Sequence, residues 1–412
     1  MPWVSIPLKG HRMQNGEITT RSQMVFGFGY FALYFALGLE IVIATPILQT
    51  LGIGAGEAGT LWAGRSLLSV LGPVVWGYYA DKTQKGPRML QVSFFGAALC
   101  HLCMWQLQGH AVGLALFFIL LGFFISGSVV LVDGLLLKSL GNAHHRYGQI
   151  RLFGGLGFGL GAFWASQTEL ALVSEFVQSF FFASFGTYFA GTLAVFFLPA
   201  MALLPREQNI LRSVARLCGS LPVLCLLIMI IAQWASHGLY TGFLAVAASK
   251  NGISLAFVGY AVVAAIVAET LCLFASARLL AVKARVMPVL FLILAVTIFR
   301  WLFSASVTEP WRFVWTQGLH GITFGLFHAW AVLQFAKIFP AQLRQTAQGW
   351  LLGAGYGLGG ALGMGISGRL LENASVASAW QAMAAFAAVA LVAGTLFSLL
   401  QRNTPSKEKA LV

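Results

Sequence analysis

Eight ionisable side chains of this chain stand inside long apolar runs: Glu40, Arg65, Asp133, His237, Glu269, Arg300, His320 and His328. Arg151 stands at the edge of another. A charge at the centre of a bilayer costs about 2.5–3.5 kcal/mol even on the lenient insertion scale, so residues of this kind mark ion pairs, water-filled cavities or proton paths. Two chemistries fit the set. Carboxylates and imidazoles can load and release protons, and histidine does so near neutral pH. Arginine offers a planar array of donors to a carboxylate, whether of the protein or of a solute. The spacing gives further expectations. His320 and His328 are eight apart and share roughly one helix face. Asp133 and Arg151 are 18 apart with a short turn between them, so antiparallel helices can pair them. Arg65 is expected at the depth of Glu40, where the two can pair and Arg65 can snorkel.

The elements that position these residues are apolar helices. Of 412 residues, 58% are apolar and 9% charged, with 25 Lys and Arg against 12 Asp and Glu, and the mean hydropathy is +0.82. An ordinary soluble domain carries about 25% charge. This chain cannot cover a water-facing surface, which excludes a soluble enzyme, a nucleic-acid binder and a disordered protein despite a net charge of +13. A bilayer core needs roughly 20 apolar residues per helix, and the chain offers twelve such spans, at about 24–48, 58–80, 89–107, 111–138, 148–166, 177–202, 221–246, 255–274, 287–305, 312–336, 346–368 and 377–401. The first is too long for a cleaved signal segment. Basic residues orient the bundle. Loops after odd-numbered spans hold only Lys250, Arg312 and Arg369, while twenty Lys and Arg lie on the other face. Positive loops stay inside, so both termini are expected in the cytoplasm.

Gly155-Leu-Gly-Phe-Gly-Leu-Gly161 returns as Gly353-Ala-Gly-Tyr-Gly-Leu-Gly359, an offset of 198 that also superposes span 1 on span 7 and the basic loop at Lys82–Arg88 on that around Lys283. The expectation is an all-α integral membrane protein of twelve transmembrane helices in two six-helix halves. Residues 1–23 form a cytoplasmic segment, 24–202 the first half, 203–220 a cytoplasmic linker, 221–401 the second half and 402–412 a tail. Parallel six-helix repeats are the layout of alternating-access carriers, with substrate held between the halves. The glycines have a packing reading, with Gly155/Gly159 and Gly157/Gly161 as small residues four apart. No phosphate-binding loop is present, which argues against an ATP-driven pump. Of the five cysteines, Cys100-His-Leu-Cys103 has metal-site spacing, but it lies inside an apolar helix with no second ligand pair, so neither metal nor cofactor is expected. No His/Glu cluster supports a membrane enzyme, no loop is long enough for a sensor domain, and the repeat disfavours a channel.

The loop Gly77-Tyr-Tyr-Ala-Asp81-Lys82-Thr-Gln-Lys85-Gly86-Pro-Arg88 resembles the signature between the second and third helices of the major facilitator superfamily. That resemblance implies a conformational gating role for Gly77, Asp81, Lys82 and Arg88. Further stretches resemble the phenylpropionate permease family, a branch related to lactose and nucleoside proton symporters. They are Asp133-Gly-Leu, Tyr147-Gly-Gln-Ile-Arg151-Leu-Phe-Gly, Val267-Ala-Glu269, Phe299-Arg300-Trp301 and Gln317-Gly-Leu-His320-Gly-Ile-Thr-Phe-Gly-Leu-Phe-His328-Ala. The lactose permease uses an acid on span 4, an Arg on span 5, a Glu on span 8, an Arg on span 9 and a His on span 10, and Asp133, Arg151, Glu269, Arg300 and His320 match those places. The resemblance thus implies substrate binding by Asp133, Arg151, Arg300, His320 and His328, and proton coupling through Glu269 or His320; Glu40, a carboxylate inside span 1, is a further proton-coupling candidate by its place in an apolar run. One departure stands out: the coupling carboxylate one turn beyond the His is missing, and Ile322-Thr323-Phe324 occupies that stretch. The expected partners are a small organic substrate, a proton and the lipid bilayer of the cell inner (plasma) membrane, with a monomeric protein and no nucleic acid. The solute is an aromatic carboxylate by resemblance, with a sugar or nucleoside, or proton-driven export, as alternatives.

Overall fold

The computed structural model describes residues 19–140, 146–167, 173–199, 220–338, 351 and 353–403. The expected linker 203–220, apart from Ser220, lies outside the described residues, as do residues 1–18 of the N-terminal segment, most of the tail, and Arg206, Arg212, Arg216 and Arg344 among the orienting basic residues.

The described chain is helical throughout. The first half comprises α1 (Thr20–Thr50), α2 (Ala55–Thr83), α3 (Gly86–Gln106), α4 (Ala111–Leu140), α5 (Tyr147–Ser166) and α6 (Val173–Val195). In the second, α7 (Leu221–Ala235) and α8 (Gly238–Lys250) join into one rod, followed by α9 (Leu255–Leu279) and α10 (Val286–Ser304). A composite rod then runs α11 (Pro310–Gly318), a π-helical turn (Gly321–Leu326) and α12 (Phe327–Ile338). A second π-helical run (Gly353–Gly359) leads into α13 (Gly360–Asn373), and α14 (Val376–Asn403) closes the fold. The described residues thus form twelve rods, seven of which are long and apolar enough to cross a membrane. The rods built on α2, α3, α5, α6 and α13 fall outside that group.

Local chemistry explains the ends. Thr19 Oγ1 accepts the Ser22 amide at 3.2 Å and caps α1. Glu57 reaches back to the Gly54 amide at 3.2 Å to start α2. The turns after the first rod of each half carry the same device, a left-handed glycine, Gly52 at φ 84° and Gly252 at φ 74°. Glu309 caps α11, accepting the Trp311 and Arg312 amides at 3.0 and 2.6 Å. These bonds to the ionised form hold its carboxyl below the ordinary range.

Packing falls into two groups. Helix α1 packs on α5 and α6, α2 on α4, and α3 on α4 and α6; α14 packs on α7 and α10, α9 on α11, and α13 on α8. Between the groups, α2 meets α13, α5 meets α9, and α1 meets α8. The chain enters α1 at one end of the bundle, so the turns at Gly52 and Gly252 mark the opposite, far end. Contacts between the groups run from that far end to mid-depth. A Cβ at Gly368 of α13 would stand 2.4 Å from the Ala55 carbonyl of α2, and one at Gly259 of α9 would stand 1.9 Å from Ser166 Oγ of α5. The large apolar core bridges both groups through Leu39, Ile43, Tyr240, Phe243 and Trp380, while a separate core of Leu226, Ile230, Leu290, Trp330 and Phe397 belongs to the second group alone. Large apolar side chains face outward, with Trp315 77% exposed, as an apolar solvent permits.

Only one of the two small-residue stripes in α5 makes the helix contact. Cβ atoms at Gly157 and Gly161 would lie 2.4 and 2.2 Å from the carbonyl oxygens of Phe31 and Phe35 in α1, whereas at Gly159 nothing lies within 4 Å. The related run Gly353–Gly359 has a different conformation, its π turn pressing Gly355 against Trp234 and Gly357 against Val70. Gly161→Ala should therefore lower stability by about 1–3 kcal/mol, the usual range for overpacking. Gly159→Ala should be neutral or stabilising by up to about 1 kcal/mol, because alanine favours the helix. Thermal unfolding of the purified variants in detergent checks the contrast, and equal midpoints would contradict it.

Candidate functional site

Asp133 on α4 and Arg151 on α5 meet. Arg151 Nη1 donates to both carboxylate oxygens at 2.7 and 2.8 Å and to the Tyr147 hydroxyl at 2.6 Å. Tyr147 stands one turn before Arg151 on the same face of α5, and its hydroxyl donates to Asp133 Oδ1 at 3.0 Å. Tyr30 of α1 donates to the same oxygen. Three donor groups thus converge on one carboxylate. The pair is not sealed: Arg151 is 40% and Asp133 26% exposed, and every hydrogen bond of Arg151 to a described residue is made by Nη1. Among the described residues its Nη2 and Nε edge has no hydrogen-bond partner.

The second cluster centres on Arg300 of α10, which is fully buried. No carboxylate among the described residues pairs with it. Nη2 donates to Gln317 Oε1 and Nη1 to Thr323 Oγ1, both at 2.7 Å. His320 Nδ1 lies 3.3 Å from Nη1, and the Trp301 and Tyr240 rings stand 4.2 and 5.0 Å from the guanidinium carbon. Neutral oxygens and aromatic faces take the place of a counterion. An arginine nitrogen can only donate, so His320 Nδ1 is the acceptor and its hydrogen is assigned to Nε2. That Nε2 points to Glu269 Oε2 of α9 at 3.7 Å. The imidazole is clamped between Tyr240 and Phe324, with ring centroids 4.6 and 4.7 Å away.

Backbone shape delivers this geometry. The π turn at Gly321–Leu326 follows His320 directly, and such turns re-aim side chains inside helices. Gly321 and Gly325 let α9 approach, because Cβ atoms there would lie 2.4 Å from the Ala268 carbonyl and 2.8 Å from Glu269 Cγ. Glu269 is 24% exposed. It lies within electrostatic reach of Arg151 and Tyr34 of the first half and of Tyr356, so ionisable groups from the two halves influence one another here. His328 lies within electrostatic reach of Arg151, with its ring against Trp234 at 6.1 Å and Nδ1 unpartnered among the described residues.

The remaining expected residues lie elsewhere. Glu40 pairs with Arg65 inside the first half, away from Glu269 and His320. The expected gating residues lie on helix ends rather than in a loop, Gly77, Asp81 and Lys82 in the last turns of α2 and Arg88 in the first turn of α3. Lys82 stands 5.6 Å from the Tyr78 ring, Lys82 and Arg88 are exposed, Gly77 has open space around it, and the side chain of Asp81 lies outside the described residues. Among the described residues no group of three His, Cys, Asp or Glu could hold a metal. The sequence reading did not single out Tyr30, Tyr240, Gln317 or the role of Thr323. Tyr147 carried a usable signal, its four-residue spacing from Arg151. Thr323 stands in the stretch where a carboxylate was expected, and its hydroxyl accepts from Arg300 there.

Breaking a sealed ion pair costs about 3–5 kcal/mol; the exposure of Asp133 and Arg151 puts this pair below that. Asp133→Asn and Arg151→Gln should therefore yield folded protein, with a small loss in melting temperature, that no longer binds its solute. Unfolding midpoints measured beside ligand-induced stabilisation separate the two effects; unaltered ligand stabilisation in both variants would contradict the assignment.

Comparisons with known proteins agree with this architecture. The MFS_1 like family model matches residues 25–382. A maltose permease of Geobacillus stearothermophilus is 26% identical over 397 residues, covering 93% of this chain and 96% of the relative. An uncharacterized transporter, YwbF, of Bacillus subtilis (strain 168) is 24% identical over 363 residues, 84% of this chain and 86% of the relative. Among solved structures, the nucleoside transporter NupG superposes with a TM-score of 0.77 at 16% identity, over 92% of this chain and 99% of that one. A D-xylose-proton symporter superposes at 0.69 with 14% identity, over 92% and 96%. These relatives are permeases and transporters rather than enzymes, and the chain is a multi-pass major facilitator transporter that belongs to the MFS_1 like family.

Proposed function

We propose that this protein is a proton-coupled carrier that takes up a small organic solute across the cell inner membrane by alternating access, working as a monomer with twelve membrane-crossing helices and both termini in the cytoplasm. The observation that carries this reading is the Glu269–His320–Arg300 series, whose carboxylate lies within electrostatic reach of the Arg151 that pairs with Asp133. Arg300 keeps His320 Nδ1 an acceptor, so a proton handled by His320 moves on Nε2, toward Glu269. Glu269 is the group that a change of access can expose to either side. With Glu269 protonated, Asp133, Arg151 and Arg300 leave a net single positive charge. With the far end outward, the contacts between halves make this an inward-open arrangement.

For the solute, a sugar or nucleoside is the leading reading. The aromatic faces of Trp234 and Tyr356 beside a charged pair suit a polar ring, and a maltose permease, a nucleoside transporter and a xylose symporter are among the similar proteins. An aromatic carboxylate, as in the phenylpropionate permease family, is the second reading. The unspent edge of Arg151 favours it, since a carboxylate docks there and balances the extra positive charge.

A thermal-shift screen of sugars, nucleosides and aromatic acids, followed by counterflow in proteoliposomes, identifies the solute. Glu269→Gln should then keep counterflow and lose gradient-driven accumulation, falling to the level reached without an imposed proton gradient. Accumulation like that of the wild type would assign the proton to another group. Orientation has its own test in a background without native cysteines. Single cysteines at Gly109 and Asn251 should react with an impermeant reagent added to intact cells, and one at Gln84 should not; the reverse pattern would invert the topology.

A further inference from the structure

Beneath the far end of the first half lies a group of ionisable side chains that the transport reading leaves unused. Glu40 of α1 accepts from Arg65 of α2, and His101 Nε2 of α3 stands 3.4 Å from Glu40 Oε1. Tyr188 of α6 stacks on the His101 ring with centroids 5.5 Å apart. All four residues are buried. Glu40 Oε1, Arg65 Nη1, His101 Nε2 and the Tyr188 hydroxyl have no hydrogen-bond partner among the described residues. Beside them is a cavity of about 10 Å³ open to the centre of a water molecule, walled by Leu114, Phe118 and Phe180. That is about the space one bound water needs.

The tautomer of His101 decides what the group requires. Nδ1 lies 3.0 Å from the Ala97 carbonyl oxygen, which only accepts, so the hydrogen of the ring is assigned to Nδ1. A neutral His101 then turns the Nε2 lone pair toward a carboxylate oxygen. Two acceptors facing each other in an apolar chamber repel unless a proton lies between them or a water donates to both. The other groups facing the site do not supply one. Arg65 donates to the other oxygen, and α4 contributes only Leu114, Phe118 and Leu121. Tyr188 and the nearby Cys100 complete the titratable surroundings.

The group is also tied to the closure of the far end. The Arg65 guanidinium carbon lies 4.9 Å from the Trp62 ring centroid. Trp62 Nε1 donates to Thr45 Oγ1 at 2.8 Å, and Thr45 in turn donates to the Gly242 carbonyl of α8, in the other half. We propose that Glu40 and His101 form a second proton-binding site of this carrier, completed by one water that accepts from Arg65 Nη1, and that the proton held there stabilises the closed far end through Arg65, Trp62 and Thr45. The sign follows from the acceptor pair. With the proton bound, His101 donates to Glu40 and the strut is braced; as pH rises and the proton leaves, the lone pairs repel and closure weakens. The site shares no residue with Glu269 and His320, and it stands whichever solute is carried.

Spin labels at Thr60→Cys and Asn373→Cys, exposed positions of α2 and α13 where the halves meet, report closure as a distance distribution in protein lacking Cys103, Cys218 and Cys272. In the otherwise wild-type chain the short-distance population should fall as pH rises. His101→Phe, which keeps the ring stack and cannot take the proton, should lose this pH response, whereas Glu269→Gln should retain it. Glu40→Gln, whose amide can donate to Nε2 and still accept from Arg65, should stay closed at every pH, and it serves if the His101 variant does not fold. A wild-type pH response in either His101→Phe or Glu40→Gln overturns the proposal. So does a response abolished by Glu269→Gln alone, which assigns the proton to the transport site.

Discussion

An ion inside an apolar bundle has to be paired, solvated or held against polarisable groups, because desolvation alone costs several kcal/mol per charge. This chain meets that constraint in different ways at different depths. Glu40 and Arg65 pair in a sealed chamber with His101. Asp133 and Arg151 pair where both are partly exposed, with three donor groups on one carboxylate and part of the guanidinium unpartnered among the described residues. Arg300 has neutral oxygens and two aromatic faces. Glu269 lies partly open beside an imidazole whose tautomer is set from the other side. The degree of enclosure sorts these groups by what they can do: an open ion can exchange partners with a solute, and a closed one can only change its proton.

The backbone makes those arrangements possible by coming close where side chains are absent. Gly321 and Gly325 let α9 lie against the π turn, which sets Glu269 beside His320. Gly157 and Gly161 seat α1 against α5, the helices that bring Tyr30 and Arg151 to Asp133. At the far end, Gly368 seats α13 on α2, and the Thr45 bond to Gly242 spans the same boundary. Under the alternating-access reading proposed above, such contacts break at one end while others form, and contacts of small area built on glycine and single hydrogen bonds suit an interface that must open.

How much of the site was legible in the sequence varies residue by residue. Asp133 with Arg151 could be paired from an 18-residue separation across a turn, and Glu40 with Arg65 from matching depth, because helix length converts sequence position into depth. Charged residues in apolar runs announce themselves for the same reason. Gln317, Thr323 and Tyr240 carried no such signal, since uncharged polar and aromatic residues are common in membrane helices and only their distance to Arg300 gives them a role. His101 lay in view within a cysteine spacing that suggests metal, but its partner is a carboxylate two helices away in the chain.

Composition, periodic apolarity and the returning glycine run were enough to determine a helical membrane transporter and the depth of each charge, because both depend on local sequence and on the fixed rise of a helix. The partner of each charge depended on rotation about the helix axis and on close backbone approach, which sequence position does not carry. The π turn after His320 changes that rotation by inserting an extra residue. Only the tertiary structure therefore decided that Arg300 is held by neutral groups, that His320 turns Nε2 to Glu269, and that Glu40 lies apart from both.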